Sequence, residues 1–307
     1  MRGRRLGWLV VGSAVGIAVV LALIILARQL QLPGRAASAA RSAAPAPAAA
    51  KKPPPAPSAQ NASVWGPNVN VAVPFQQTIE QLPEGAPYML RVTELEMEPG
   101  ARIFEHRQLS VGAHVVVRGS ITIENLDAGQ TATYRVGQAY FEGLGSLHRA
   151  VNLGPEANRV LMVDLLSASR GWDGTQQFTS PGRHNEGGLR SGPFVQVPLA
   201  ELPAEPLMLR VSEISLGPKA KTVEHTRLGP AVFFVEEGTA TIRKNWANSS
   251  MTHGTNGYFF EAGREPFILE NKPAAPARVL AVELLPASLG DGPSTIPTGN
   301  PEPEPSD

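Results

Sequence analysis

Shifted along itself by 119 positions, the chain matches itself without a net gap from Ala86 to Gly171, with 29 identities in 86 aligned positions. The match begins with Pro87, Met89, Leu90, Arg91 and Val92 on Pro206, Met208, Leu209, Arg210 and Val211. It passes through Glu105-His106 on Glu224-His225 and Phe141-Glu142 on Phe260-Glu261, and ends with Arg159-Val160-Leu161 on Arg278-Val279-Leu280. A period of this length is a whole domain, so the chain carries two copies of one fold. Within each copy the apolar residues come in short runs such as Val115-Val116-Val117, separated by Gly, Pro and Asn, with no sustained helical period. Short strands at regular spacing predict an all-β barrel or sandwich.

The regions outside the repeat differ in kind. Residues 6–27 are uncharged and apolar. About 20 such residues cross a bilayer as a helix, and the stretch exceeds the roughly 7–15 of a cleaved signal peptide. Residues 1–28 therefore read as a retained signal anchor. The arginines flanking it lean toward an amino end in the cytoplasm and a globular part in the periplasm or outside the cell, as in a bacterial inner-membrane protein. Residues 29–64 read as a disordered spacer, because 20 of the 30 residues from Pro33 to Ala62 are Ala or Pro. The domains follow as 65–171 and 194–290, with an exposed linker at 172–193 and a disordered tail at 291–307. Equal numbers of basic and acidic residues, 27 each, leave no field to draw the chain to nucleic acid, and none is expected as a partner. The absence of cysteine removes disulfides, thiolate metal sites and cysteine nucleophiles. No phosphate-binding loop, nucleophile elbow or H-E-x-x-H helix is present.

One set of spaced residues carries chemistry. Gly137, Gly145, His148 and Asn152 fall in the order and spacing of the second motif of the cupins, with Gly143 where proline is usual. Gly100, His106 and Gly119 keep the register of that family's first motif, G-x5-H-x-H-x3,4-E-x6-G, but Gln108 stands at its second histidine and Gly112 at its glutamate. In these motifs the first unit resembles the cupins, and the whole chain resembles a tandem bicupin with degenerate metal motifs. The resemblance implies two jelly-roll β-barrels and a divalent metal, Fe, Mn, Ni or Zn, held by histidines inside the first. It leaves His106 and His148 as ligands.

Strand geometry adds to this. Side chains alternate across a strand, so His106 and Gln108 share a face, as do Gly112 and His114. His114 is therefore expected to face inward and to complete a set of His106, His148 and His114, with Gln108 auxiliary. A hydrogen-bonded histidine core without metal is the competing reading. In the second unit the corresponding positions are His225, Arg227, Ala231, Phe233 and Phe267, so no metal is expected there. An inward Arg227 suits a carboxylate or phosphate ligand, or an internal ion pair with Glu261. Glu142 and Glu261 hold matching places before the second-motif turn, where a structural hydrogen bond is the default and ligand binding or proton transfer the alternative. The reading is a membrane-anchored bicupin that binds a small molecule or divalent metal in its first barrel. A metal-dependent dioxygenase, isomerase or decarboxylase and a non-catalytic scaffold are the alternatives, and monomer and homodimer both remain open.

Overall fold

The computed structural model describes residues 65–170 and 176–298, and every regular element longer than three residues in it is a strand. The predicted anchor at 6–27, the spacer at 29–64 and the last residues of the tail lie outside the described residues. No helix within them is long and apolar enough to cross a membrane.

Each half of the chain forms one jelly-roll barrel of two facing sheets. In barrel 1 the first sheet has the order β12 (Leu189–Leu199), β2 (Tyr88–Met97), β9 (Asn158–Ser167), β4 (Val111–Arg118) and β7 (Ala139–Glu142). The second has the order β10 (Gln176–Phe178), β3 (Arg102–Gln108), β8 (Leu147–Val151), β5 (Ser120–Asn125) and β6 (Gln130–Arg135), with β11 (Asn185–Glu186) also on β3. Barrel 2 repeats the first sheet as β1 (Val69–Thr78), β13 (Leu207–Leu216), β20 (Ala277–Pro286), β15 (Ala231–Glu237) and β18 (Tyr258–Glu261). Its opposite side is split into β17 (Ser249–Gly254), β16 (Thr239–Lys244) and β19 (Ile268–Glu270), and a separate pair of β14 (His225–Arg227) with β21 (Thr295–Pro297).

Three boundaries differ from the sequence reading. Strand β1, expected in the first domain, pairs along β13 of barrel 2, while β12, which follows barrel 1, pairs along β2 of barrel 1. Each unit thus lends a strand to the edge of the other's sheet, which a repeat alignment cannot reveal because both strands sit at equivalent edges. The 172–193 linker is also not a free connection: β10 and β11 lie against β3. The tail is ordered as far as β21, which pairs with β14 as β10 pairs with β3.

The apolar runs are explained by burial on both faces. Along β4, Val111, Ala113 and Val115 join a core cluster shared with Leu207, Leu209, Val211, Val232, Phe234, Leu280, Val282 and Leu284 of barrel 2. Val116, of the other parity, joins Leu95, Met97, Ile121, Tyr140 and Val160 inside barrel 1. The outer faces of the two larger sheets are therefore packed on each other, and period-2 alternation sends every second residue to the joint and the rest to a barrel interior. Leu209→Ala, at the centre of the joint, is expected to lower unfolding free energy by about 2–5 kcal/mol in urea titrations followed by circular dichroism.

Candidate metal site in barrel 1

The interior of barrel 1 is apolar except for one belt. Glu142 on β7, Gly112 on β4 and Asp164 on β9 lie side by side in the ladder. A side chain at 112 would collide with both neighbours, since a Cβ there would lie 2.5 Å from Asp164 Oδ1 and 2.6 Å from His114 Nε2. Gly112 leaves room for these two side chains, and Glu142 brings a carboxylate into the same belt from the adjacent strand.

From this belt a chain of alternating imidazoles and carboxylates runs through the barrel. His148 Nε2 lies 3.1 Å from Glu142 Oε1, Glu142 Oε2 lies 3.6 Å from His114 Nδ1, and His114 Nε2 lies 3.3 Å from Asp164 Oδ1. Asp164 Oδ1 also accepts from Ser110 Oγ at 2.9 Å and Gln108 Nε2 at 3.3 Å. Burial by itself would raise the Glu142 carboxyl, but His148 and His114 outweigh it and hold the group down at about 2. Burial would lower both histidines, and the Glu142 charge overcomes it, so His114 and His148 are raised. The belt is a buried ionic cluster that neutralises its own charges.

His106 stands apart from the pairing. Its Nδ1 lies 2.7 Å from the Phe104 carbonyl oxygen, which can only accept, so Nδ1 carries the proton and Nε2 a lone pair. That Nε2 is buried without a hydrogen-bond partner, and the ring meets His148 edge-on at 4.3 Å. Burial, then the neighbouring His148, lowers His106 to about 4, keeping it neutral near pH 7. A cavity of about 10 Å³ remains between His106, His114, Glu142, His148, Tyr140 and Gln176. That is room for one water or one ion, and too little for an organic ligand.

The predicted site residues therefore separate. His106, His148 and His114 converge on the cavity with Glu142, and His114 faces inward as strand alternation requires. Gln108 does not reach it: its amide is bound to Ser110 Oγ at 2.7 Å and to Asp164. Asn152 of the second motif is a turn lock, donating to the Met97 and Glu156 carbonyls at 2.8 Å each. Asp164 was missed, although a lone carboxylate in the apolar run Val160–Leu166, with Glu283 at the matching place 119 positions on, was a usable signal. Gln176 was missed because the linker was read as exposed.

The donor types fit a divalent cation: imidazole nitrogens, one pre-set with its lone pair free, and a carboxylate. Among the described residues, however, no three His, Asp or Glu side chains are disposed around one point as a bound ion requires. The hydrogen bond between His148 and Glu142 takes up the contacts that coordination would use.

Barrel 2 is built differently. His225 keeps the tautomer of His106, with Nδ1 2.8 Å from the Val223 carbonyl, and burial followed by the Arg227 charge lowers it to about 3. Arg227 points inward, but the expected partner Glu261 is bound instead to Lys244 at 3.1 Å. Arg227 pairs with Glu283, the counterpart of Asp164, because Glu283 lies deeper on β20 while Glu261 is within reach of a cation nearer the surface.

No protein-family model matches this chain, and no curated protein matches it. Solved structures do. The oxalate decarboxylase of Bacillus subtilis, a protein with Mn(II) centres, superposes with a TM-score of 0.51 over 75% of each chain at 13% identity. The oxalate decarboxylase of Lactobacillus farciminis in its formate complex superposes at 0.53 over 75% of this chain and 84% of that one, also at 13% identity. The fold is a bicupin. At this identity the likeness extends to the bicupin architecture and not to its chemistry.

The pH dependence follows from the shifts. His106 and His225 have folded-state values of about 4 and about 3, below the ordinary 6.5. The unfolded chain therefore binds more protons in that interval, and stability falls as pH drops from about 6.5. Glu142 adds to the loss between 4.5 and about 2. His114 and His148, being raised, contribute below 6.5 and lose their contribution as pH rises through their folded values. Urea midpoints should pass through a maximum near neutral pH. Glu142→Gln is expected to cost about 3–5 kcal/mol at pH 6, by leaving buried imidazoles unpaired, and to lower the titration midpoint of His148 in NMR.

Proposed function

We propose that the protein is a metal-dependent bicupin enzyme with a single reaction centre in barrel 1, where His106, His148 and Glu142 would hold one divalent ion once the His148–Glu142 hydrogen bond opens, with His114 behind Glu142. The observation that carries this reading is the buried, partnerless lone pair of His106 Nε2 beside a cavity the size of one ion. The fold it shares with the Mn(II)-containing oxalate decarboxylase supports it. When bound, the ion would supply Lewis-acid activation of a substrate or of dioxygen.

The chain's own residues supply the rest. His148 holds a proton against Glu142 across 3.1 Å, and it is the group able to return one. His114 fixes Glu142 from the far side and is fixed by Asp164. Gln176 on β10, which pairs with β3, closes one side of the cavity. The sequence expectation of an organic ligand inside barrel 1 gives way to this, because about 10 Å³ admits none. Barrel 2 serves as the structural partner. We further infer that residues 6–27 hold the protein in a bacterial inner membrane with both barrels in the periplasm or outside the cell. A reporter fused after residue 307 would be active only if exported, and activity in the cytoplasm would reverse the orientation.

Two measurements on the full-length protein in detergent test the metal reading. After incubation with Fe, Mn, Ni and Zn, elemental analysis should find about one ion per chain in the wild type and at least tenfold less in the His106→Ala, His148→Ala double variant. Binding should also release protons, because the ion displaces the proton that His148 holds against Glu142, so affinity should weaken as pH falls below 7. Equal metal in wild type and variant sinks the proposal and leaves a metal-free scaffold.

A further inference from the structure

The interior of barrel 2 holds an excess of buried hydrogen-bond donors. The Arg227 side chain is 1% exposed, and its Nη1 donates to Glu283 and, at 3.4 Å, to Ser294 Oγ. Its Nε and Nη2 have no partner. These two atoms form the edge of the guanidinium whose N–H bonds run parallel, the edge that grips a carboxylate through two hydrogen bonds. Glu283 engages the other nitrogen and leaves this edge open.

Further unpartnered groups surround it. Trp65 Nε1 is buried without an acceptor, and the Trp65 ring lies 5.8 Å from the guanidinium carbon. Thr295, opposite Arg227 in the β14–β21 ladder, has a buried Oγ1 with no partner. Phe233 covers one face of the guanidinium at 4.5 Å. His225 Nε2 is an acceptor by its tautomer and is also without a partner, so it offsets one of these donors and leaves the others unmet. Unmet buried donors destabilise the fold, a load that an acceptor-rich occupant would remove.

The local charge has the same sign. Two buried cations, Arg227 and Arg210, flank the single carboxylate of Glu283, and Glu261 is taken up by Lys244. Burial, with Arg227 adding to it, depresses Arg210 in spite of Glu283 and Asp291. In barrel 1 the corresponding belt carries Glu142 and Asp164 with imidazoles and no lysine or arginine beyond Arg91. The duplicated interiors have therefore diverged in polarity, one rich in acceptors and the other in donors.

We infer that barrel 2 binds a small carboxylate or comparable planar oxyanion on the free Nε and Nη2 edge of Arg227, beneath Trp65. The probe is acetate, titrated into the full-length protein in detergent with EDTA present and ionic strength held constant with sodium chloride. Wild type should show a saturable rise in melting temperature with acetate. Arg227→Lys, which keeps the charge beside Glu283 but loses the parallel edge, should weaken the response at least tenfold. Trp65→Phe should weaken it as well, and decides the matter alone if the lysine variant does not fold. His106→Ala should leave it unchanged, which separates this site from the one in barrel 1. If acetate does no more than chloride in the wild type, or acts equally on wild type and Trp65→Phe, the open donors are served by water only and the inference fails.

Discussion

Everything in this molecule is built around sheets that are buried on both faces. The two larger sheets pack outer face to outer face through Leu90, Val92, Val163 and Leu165 of one barrel and Leu209, Val211, Val282 and Leu284 of the other. Each central strand is thereby committed twice, to the joint by one parity and to a barrel interior by the other. The residues of the interior parity cannot be chosen for apolar burial alone, because they also line the barrel interiors where the histidines and carboxylates meet. Arg91, Gly112, Glu142 and Asp164 in barrel 1, and Arg210, Ala231, Glu261 and Glu283 in barrel 2, occupy this parity as matching cross-strand belts.

The exchanged strands tie the belts together across the repeat. Gln76 on β1 stands opposite Arg210 on β13, and Gln196 on β12 stands opposite Arg91 on β2. Arg210 Nε donates to Gln76 at 3.2 Å, and its Nη1 donates to the Gly292 carbonyl at 2.7 Å. One buried side chain thus fastens the first strand and the chain following the last barrel strand. A charge this deep is tolerable because each of the three guanidinium nitrogens donates to an acceptor, Nη2 to the Gly290 carbonyl.

Within this frame the two interiors show how duplication separates roles. Both barrels keep a histidine whose Nδ1 is fixed by a carbonyl two residues earlier, His106 by Phe104 and His225 by Val223. In barrel 1 its neighbours are His148, His114 and Glu142 around a small cavity. In barrel 2 the places of His148 and His114 are taken by Phe267 and Phe233, Glu261 keeps the place of Glu142 but pairs with Lys244, and Trp65 closes over His225 at 5.6 Å. The pairing is kept while the groups change: Gln108 donates to Asp164 in barrel 1, and Arg227 pairs with Glu283 at the matching positions of barrel 2.

The sequence by itself determined the duplication, the all-β class, the two barrels and the inward direction of His106, His114, His148 and Arg227, because these depend on local period and on spacing within one unit. The tertiary structure alone decided which strand completes which sheet, since β1 and β12 occupy equivalent edges and their exchange leaves the repeat unchanged. It also decided the partners of each inward group. Gln108 turned to Ser110 and Asp164, Arg227 to Glu283 rather than Glu261, and Glu142 to two histidines at once. Those pairings are cross-strand contacts between residues far apart in the chain. They are set by ladder register and depth in the barrel, neither of which is carried by the spacing of a motif.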